Sequence, residues 1–335
     1  MPRNVIAIAG ATGAVGLETL RILEERQFPT DEVRCLASKR SVGRTVRFRG
    51  QDLPVRELTP SSIQGAKFVL LAAGGDLSRE YGPIAARAGA IAIDDSSTFR
   101  MDPAVPLVVP EVNREALRSH QGIVSIPNCS TTQLVLALKP LHDFGRLTRV
   151  AATTFQSVSG AGLRAIDEMK RETEAVLAGR PFEREIFPHP IAFNAIPQIP
   201  QSKACGEGGY TTEEWKMMKE TRKILGLPDL RITATCVRIP VERGHSEAIL
   251  LETEKKISAA KARELLASMD GIEVVDDPAS QAYPLATSAA GKDPVFVGRI
   301  REDSSVPNGL HLWIVSDNLR KGAALNAVQI AECLL

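Results

Sequence analysis

Val5-Ile-Ala-Ile-Ala-Gly10-Ala-Thr-Gly13-Ala-Val-Gly16 is the stretch on which the reading of the fold turns. Five consecutive apolar residues, Val5 to Ala9, suit a strand buried on both faces. A Gly-x-x-Gly-x-x-Gly run follows at once, and a helical pattern begins near Val15 with Leu17, Leu20 and Leu23 on one face. Glycines at such a junction permit a tight turn and let backbone N–H groups approach a pyrophosphate at the helix N-terminus. The spacing departs from the usual G-x-G-x-x-G, so its position at the first strand–helix junction carries the argument. Gly10, Thr12, Gly13, Ala14 and Val15 are the candidate contacts.

Working outward, Val33–Ala37, Phe68–Ala72, Ile91–Ile93 and Leu107–Val109 read as further strands in a β-α-β-α rhythm, which implies a parallel sheet. Beyond residue 130 the pattern becomes mixed. Leu134–Leu138 is helical and Val150–Ser157 a strand. Gly162–Ala178 reads as an amphipathic helix presenting Leu163, Ile166, Met169, Val176 and Leu177. Pro181–Tyr210 is a long Pro- and Gly-containing loop, a candidate for binding or subunit contact. Thr211-x-x-Glu214 is a capping box for a helix ending near Gly226. Strands at Ile232–Ile239 and Glu247–Glu252, a helix at Ser258–Met269 and a helical tail from Gly322 complete the chain. The expected class is α/β: a Rossmann-type parallel-sheet domain from 1–127 with 316–335, and an α+β domain from 128–315.

The end of the second strand bears on the cofactor. An acidic residue there would suit the ribose hydroxyl of NAD; Ser38-Lys39-Arg40-Ser41 stands there instead. Hydroxyls and cations suit a 2′-phosphate, so Ser38, Arg40 and Ser41 point to NADP.

Bulk properties narrow the partners. Across 335 residues the formal charge is +1, which gives no reason to expect nucleic acid or an anionic membrane. No apolar run approaches the ~20 residues that span a bilayer, and the N-terminal run lacks the features of a secretory signal, so a cytoplasmic enzyme is expected. Five scattered cysteines signal neither a disulfide framework nor a metal site.

Cys129, in Pro127-Asn-Cys-Ser-Thr-Thr132, lies just before a helix expected to start near Gln133. There the positive end of the helix dipole favours the thiolate, and backbone N–H groups can stabilise an oxyanion. Cys35 and Cys236 sit inside apparent strands and read as buried hydrophobes. A thiolate beside a nicotinamide cofactor suggests acyl transfer coupled to redox through a thioester. Among five histidines, His245 at a strand end after Gly244 is the preferred proton-transfer partner. Arg238 alternates with Val237 and Ile239, so it faces opposite to them and is able to clamp a carboxylate.

These motifs, with Ala72-Ala-Gly-Gly75, Asp95-Ser-Ser-Thr-Phe-Arg100, Ser159-Gly-Ala-Gly162, Arg238-Ile-Pro-Val-Glu-Arg-Gly-His-Ser-Glu247 and Asp317-Asn-Leu-Arg-Lys-Gly322, together resemble the aspartate-semialdehyde dehydrogenase family over nearly the whole chain. The resemblance implies NADPH-dependent reductive dephosphorylation of L-aspartyl 4-phosphate, on the route to lysine, methionine and threonine. It implies that Cys129 is the thioester nucleophile, His245 the general acid/base and Gln156 the residue orienting substrate near the thiol. Arg238 would hold the substrate carboxylate and Glu213 its amino group; Arg100, Asn128 and Lys216 would bind phosphate; Ser159, Gly160 and Asn318 would line the nicotinamide. A small shift would turn Glu214 or Lys219 inward in place of Glu213 or Lys216. The resemblance also implies a homodimer, or a pair of them, built through the second domain, a small-molecule acyl-phosphate substrate and no metal. The alternative within the same chemistry is N-acetyl-glutamyl-phosphate reductase. A non-catalytic nucleotide-binding paralogue is the alternative outside it, and the joint presence of Cys129, Gln156, Arg238 and His245 weighs against that.

Overall fold

The computed structural model describes residues 4–200 and 205–335. The chain divides into two compact units, 1–128 with 323–335, and 129–322.

The first unit is built on seven strands: β1 (Val5–Ala9), β2 (Glu32–Ala37), β3 (Thr45–Phe48), β4 (Gln51–Glu57), β5 (Phe68–Leu71), β6 (Ile91–Asp94) and β7 (Ile123–Ser125). Their order is β3-β4-β2-β1-β5-β6-β7, parallel apart from the β3–β4 hairpin. The apolar run of β1 is buried on both faces: Ile6 and Ile8 enter one core, Val5, Ala7 and Ala9 the other. Helix α1 (Ala14–Glu25) belongs to the first core and α2 (Gly75–Arg87) to the second. Single-turn α3 (Pro110–Asn113) follows β6. β1 lies between β2 and β5, so the sheet reverses its winding direction beside the glycine loop, where open α/β sheets bind ligands.

Several expectations change in detail. Leu17 is 40% exposed, so the inward face of α1 is carried by Leu20 and Leu23. Leu107–Val109 is no strand: flanked by Pro106 and Pro110, it makes only a bridge from Leu107 to Ser125, and β7 is the edge strand instead. The β3–β4 hairpin went unread because it is short and charged; its turn uses Arg49 and Gly50, both with positive φ.

The second unit begins with α4 (Cys129–Gly145), then β8 (Leu147–Gln156), α5 (Leu163–Leu177), α6 (Thr212–Leu225), β9 (Arg231–Arg238), β10 (His245–Thr253), α7 (Ala259–Ala267), β11 (Ile272–Val274), single-turn α8 (Ala286–Ala289), β12 (Val295–Asp303) and β13 (Gly309–Ser316). The six strands form a mixed sheet in the order β11-β12-β13-β10-β8-β9, with α4, α6 and α7 packed on it. Strict alternation along β8 buries Val150, Ala152, Thr154 and Gln156, while Ala151, Thr153 and Phe155 are half-buried on the other face. The last helix, α9 (Leu325–Cys333), returns to the first unit and joins the core of α1.

In α5, Leu163, Val176 and Leu177 are exposed, so its buried stripe is narrower than expected. Its buried Glu168 and Glu172 secure the long loop. Glu168 accepts the N–H groups of Glu185, Ile186 and Phe187, and Glu172 those of Ile191 and Ala192, at 2.7–3.0 Å. Charge-assisted bonds thus take the place of a secondary-structure ladder there. Residues 201–204 of that loop lie outside the described residues.

A Cβ added at Gly16 would lie 2.2 Å from the Gly10 carbonyl oxygen and 2.7 Å from the Ala11 Cα. Gly16→Ala is therefore expected to cost about 1–3 kcal/mol, read as a lower urea midpoint at unchanged m-value.

Candidate functional site

The loop after β1 divides its backbone donors between the sheet and the start of α1. Gly10 has φ +89°, and the Gly10 and Ala11 N–H groups donate to Leu36 O at 2.9 and 3.1 Å. Gly13 caps α1 with no side-chain bond, leaving the first-turn N–H groups at Ala14 and Val15 available to an anion. A Cβ at Gly10 would stand 2.4 Å from Ala72 O, so this loop and the Ala72-Ala-Gly-Gly75 turn pack backbone to backbone. Thr12 is half-buried in the loop. At the end of β2, Ser38 and Arg40 are exposed and Ser41 half-buried around a short 3₁₀ turn. Arg100 is buried and donates to Asp95 O at 2.8 Å, and Asn128, also buried, ends this unit.

In the second unit the expected residues converge. Helix α4 starts at Cys129 itself, four residues earlier than expected, so the half-buried thiol occupies the first helical position. Gly322 presses against it: a Cβ there would lie 2.8 Å from the Cys129 Cβ. Gly322 lies in the π-helical turn Arg320–Ala324, a geometry that recurs at functional sites. By contrast, burial raises the thiols of Cys35, to about 11, and of Cys236, which keeps both protonated.

Four strand ends make one buried row. Ser316 of β13 pairs with His245 of β10, and Gln156 of β8 pairs with Arg238 of β9, with β8 and β10 adjacent. The Thr154 hydroxyl donates to Gln156 Oε1 at 3.0 Å, and Gln156 Nε2 donates to Glu213 Oε1 at 3.2 Å. Lys216 Nζ donates to Glu213 Oε2 at 3.1 Å. The capping box distinguishes the neighbouring acids. Glu214 spends its oxygens on the Thr211 and Cys236 N–H groups, whereas Glu213 faces the row. Lys219 is exposed over the Trp215 ring.

Arg238 donates from Nη1 to Ser157 O at 2.6 Å, and its Nε has no hydrogen-bond partner among the described residues. Burial lowers its pKa, opposed by Glu213 and Cys129. His245 is fully buried. Its Nδ1 accepts the Ser157 N–H at 3.1 Å and sits 3.0 Å from Ser157 Oγ. A backbone N–H only donates, so the ring proton belongs on Nε2, which has no hydrogen-bond partner among the described residues. Gly160 leaves the space before it: an added Cβ would stand 3.1 Å from Arg238 Nη1 and 3.4 Å from His245 Nε2. Asn318 Oδ1 accepts from Ser157 Oγ, Ser159 Oγ and Gly244 N–H at 3.0–3.1 Å, fixing both sides of the histidine. Ser157, which orients His245, was expected as the last residue of the strand; β8 ends at Gln156, so alternation does not assign its side chain and its role escaped the sequence reading.

Burial, then the Arg238 charge, lower the His245 pKa from 6.5 to about 3. Between those values the unfolded chain binds a proton that the folded chain refuses. The resulting stability is complete above 6.5 and is lost as pH falls toward 3. His245→Asn is expected to flatten this acid-side dependence by up to about 1.4 kcal/mol per pH unit, measured by urea unfolding at successive pH values.

Among the described residues no helix is long and apolar enough to cross a membrane, and no group of three or more His, Cys, Asp or Glu is arranged to hold a metal ion. Comparison with known proteins adds the lineage. Residues 5–120 match the semialdehyde dehydrogenase NAD binding domain, and residues 138–321 the semialdehyde dehydrogenase dimerisation domain. The aspartate-semialdehyde dehydrogenase of Aquifex aeolicus is 50% identical over 334 residues, covering 98% of this chain and 97% of that protein. That of Bacillus subtilis is 48% identical over 337 residues, covering 98% and 96%. The crystal structure of aspartate semialdehyde dehydrogenase II from Vibrio cholerae, complexed with ASA, superposes with a TM-score of 0.94 at 46% identity, covering 100% of this chain and 98% of that one. With its order of domains and its buried row of strand-end residues, the chain belongs to the aspartate-semialdehyde dehydrogenase family.

Proposed function

We propose that the protein carries out NADPH-dependent reductive dephosphorylation of L-aspartyl 4-phosphate to L-aspartate 4-semialdehyde through a thioester on Cys129. The observation that carries this reading is the buried row of Gln156, Arg238 and His245, joined by Glu213, in the unit whose first helix begins with Cys129.

Cys129 attacks the acyl carbon as a thiolate, the carbon–oxygen bond to phosphate breaks, and phosphate leaves. The positive end of the α4 dipole stabilises that thiolate. Gln156 orients the acyl group, Arg238 holds the substrate carboxylate, and Glu213 accepts its ammonium. Lys216, Arg100 and Asn128 are the phosphate ligands carried over from the family resemblance. Once the thioester is reduced, the oxyanion on its former carbonyl carbon needs a donor. His245 offers Nε2–H, and collapse of the C–S bond then returns the thiolate and frees the aldehyde. In this form His245 serves as proton-bearing donor, refining the general acid/base role.

A dinucleotide fits the glycine loop, since a Cβ at Gly10 would strike backbone and Gly13 leaves the α1 donors uncapped. When bound, the nicotinamide supplies the hydride. Ser159, Gly160 and Asn318 are its expected lining, while exposed Ser38 and Arg40 with Ser41 favour a 2′-phosphate and hence NADPH over NADH. A homodimer, alone or paired into a tetramer, would use the half-buried outer face of the six-stranded sheet. Phe155 and Trp313 pack there with ring centroids 5.6 Å apart. The matched dimerisation domain supports assembly, and light scattering would read its stoichiometry.

The test is NADPH formation from aspartate semialdehyde and phosphate, beside N-acetyl-glutamate semialdehyde and beside NAD; equal rates with the acetylated aldehyde would overturn the substrate assignment. Cys129→Ala is expected to lose at least about a thousandfold in kcat while NADPH affinity stays within about twofold. Arg40→Ala should narrow the gap between NADPH and NADH affinity, measured by fluorescence titration, with little change for NADH.

A further inference from the structure

Directly beneath the row lies a second one that the proposed chemistry does not use: Ile314, Glu247, Thr154 and Cys236, paired across β13, β10, β8 and β9. Glu247 follows His245 by two residues on the same strand, and its side chain therefore lies on the same face. It is wholly buried, and among the described residues neither carboxylate oxygen has a hydrogen-bond partner at good geometry. The polar side chain that influences it is Gln133. Gln133 is also wholly buried, its Nε2 equally lacks a well-aligned partner, and its Oε1 accepts the Ser316 hydroxyl. Gln133 stands one helical turn after Cys129, on the same side of α4. Ser316, in turn, is the register partner of His245.

We infer that Glu247 is a positioning residue: as a neutral carboxyl it steadies Gln133, and through Gln133 it holds the first turn of α4, with Cys129, against the strand ends that carry His245 and Ser316. A carboxylate here would be a charge with no cation facing it among the described residues. From β9 the titratable neighbour is Cys236, whose thiol is raised in part by Glu247; from α6 the neighbours are Glu213 and Glu214, which act on that thiol in the same direction. On α4, Cys129 is one turn away, while Lys139, His142 and Asp143 occupy the C-terminal half. On the far face of the sheet Arg149 is taken by Glu252 and His311 lies beside Asp303. β13 presents Ile314. Burial accordingly pushes the Glu247 pKa up to about 8, so the group is mostly protonated at neutral pH. Its ionisation above that value would set a buried charge beneath the thiolate and draw the Gln133 amide toward the carboxylate.

The inference rests on the proposed thiol chemistry, and one readout needs no substrate. The rate of Cys129 alkylation by iodoacetamide, followed against pH in the full-length enzyme, should depart from a single thiol titration on the alkaline side near pH 8 in the wild type, and the departure should vanish in Glu247→Gln. Glu247→Gln should also keep kcat within about threefold at neutral pH, whereas Glu247→Leu should lower kcat by about tenfold or more with KM within about twofold. Identical alkylation profiles for wild type and Glu247→Gln, or wild-type kcat in Glu247→Leu, would overturn the inference. Should Glu247→Leu not fold, isotope-edited infrared spectroscopy of the wild type decides. A protonated carboxyl band that is missing from Glu247→Gln and persists to about pH 8 supports the inference. A band that titrates in the usual glutamate range overturns it. An enzyme that fails to turn over aspartate semialdehyde yet shows the alkylation difference would sink the substrate assignment and leave Glu247 in its role.

Discussion

The hydrogen-bond register of β10 between β8 and β13 is the constraint on which the rest depends. Side chains alternate strictly across a strand, so a slip of one residue would send His245 to the outer face and bring Ser246 inward. The register sets Ser316 beside His245 and carries Gln156 to the edge shared with Arg238. It is itself specified by the apolar residues further along, Ile249 and Leu251 on β10 and Val150 and Ala152 on β8, which have only one face on which to be buried. Polar strand ends are thus positioned by hydrophobic strand bodies.

The site achieves its electrostatics by withholding solvent. His245, Arg238, Gln156 and Glu213 are all buried, yet each is bonded in a way that leaves one atom to spare or one side facing the row. Asn318 collects three donors from two segments, and Asp317 beside it accepts the N–H groups of Gly291 and Leu319 and pairs with Arg243. These bonds pin the segment from Gly244 to His245 from behind, which keeps the histidine ring from rotating to satisfy Nε2 elsewhere.

Much of this was legible in the residues. The uniform β1 run and the glycine loop announce a parallel sheet because only a doubly covered strand tolerates apolar side chains on both faces. Thr211 and Glu214 were readable as a cap because the two bonds involved are local. Legibility stops where a contact is non-local. Nothing near Ser157 in sequence tells that its backbone will meet His245, and nothing near Gln133 points to Glu247 or Ser316. The same limit explains Leu17 and Leu177: periodicity gives the angle of a side chain about its helix axis, while the width of the covered stripe depends on what packs there.

Phe155 and Val237 lie on the opposite side of the sheet from Gln156 and Arg238, each one peptide bond away. The two faces therefore share a single backbone, and a twist imposed at one is felt at the other as a rotation of the intervening peptide planes. Whatever presses on the half-buried outer face works as a lever whose short arm ends at Gln156 and Arg238. In an architecture of this kind, geometry on the solvent side and reactivity on the inner side do not evolve independently.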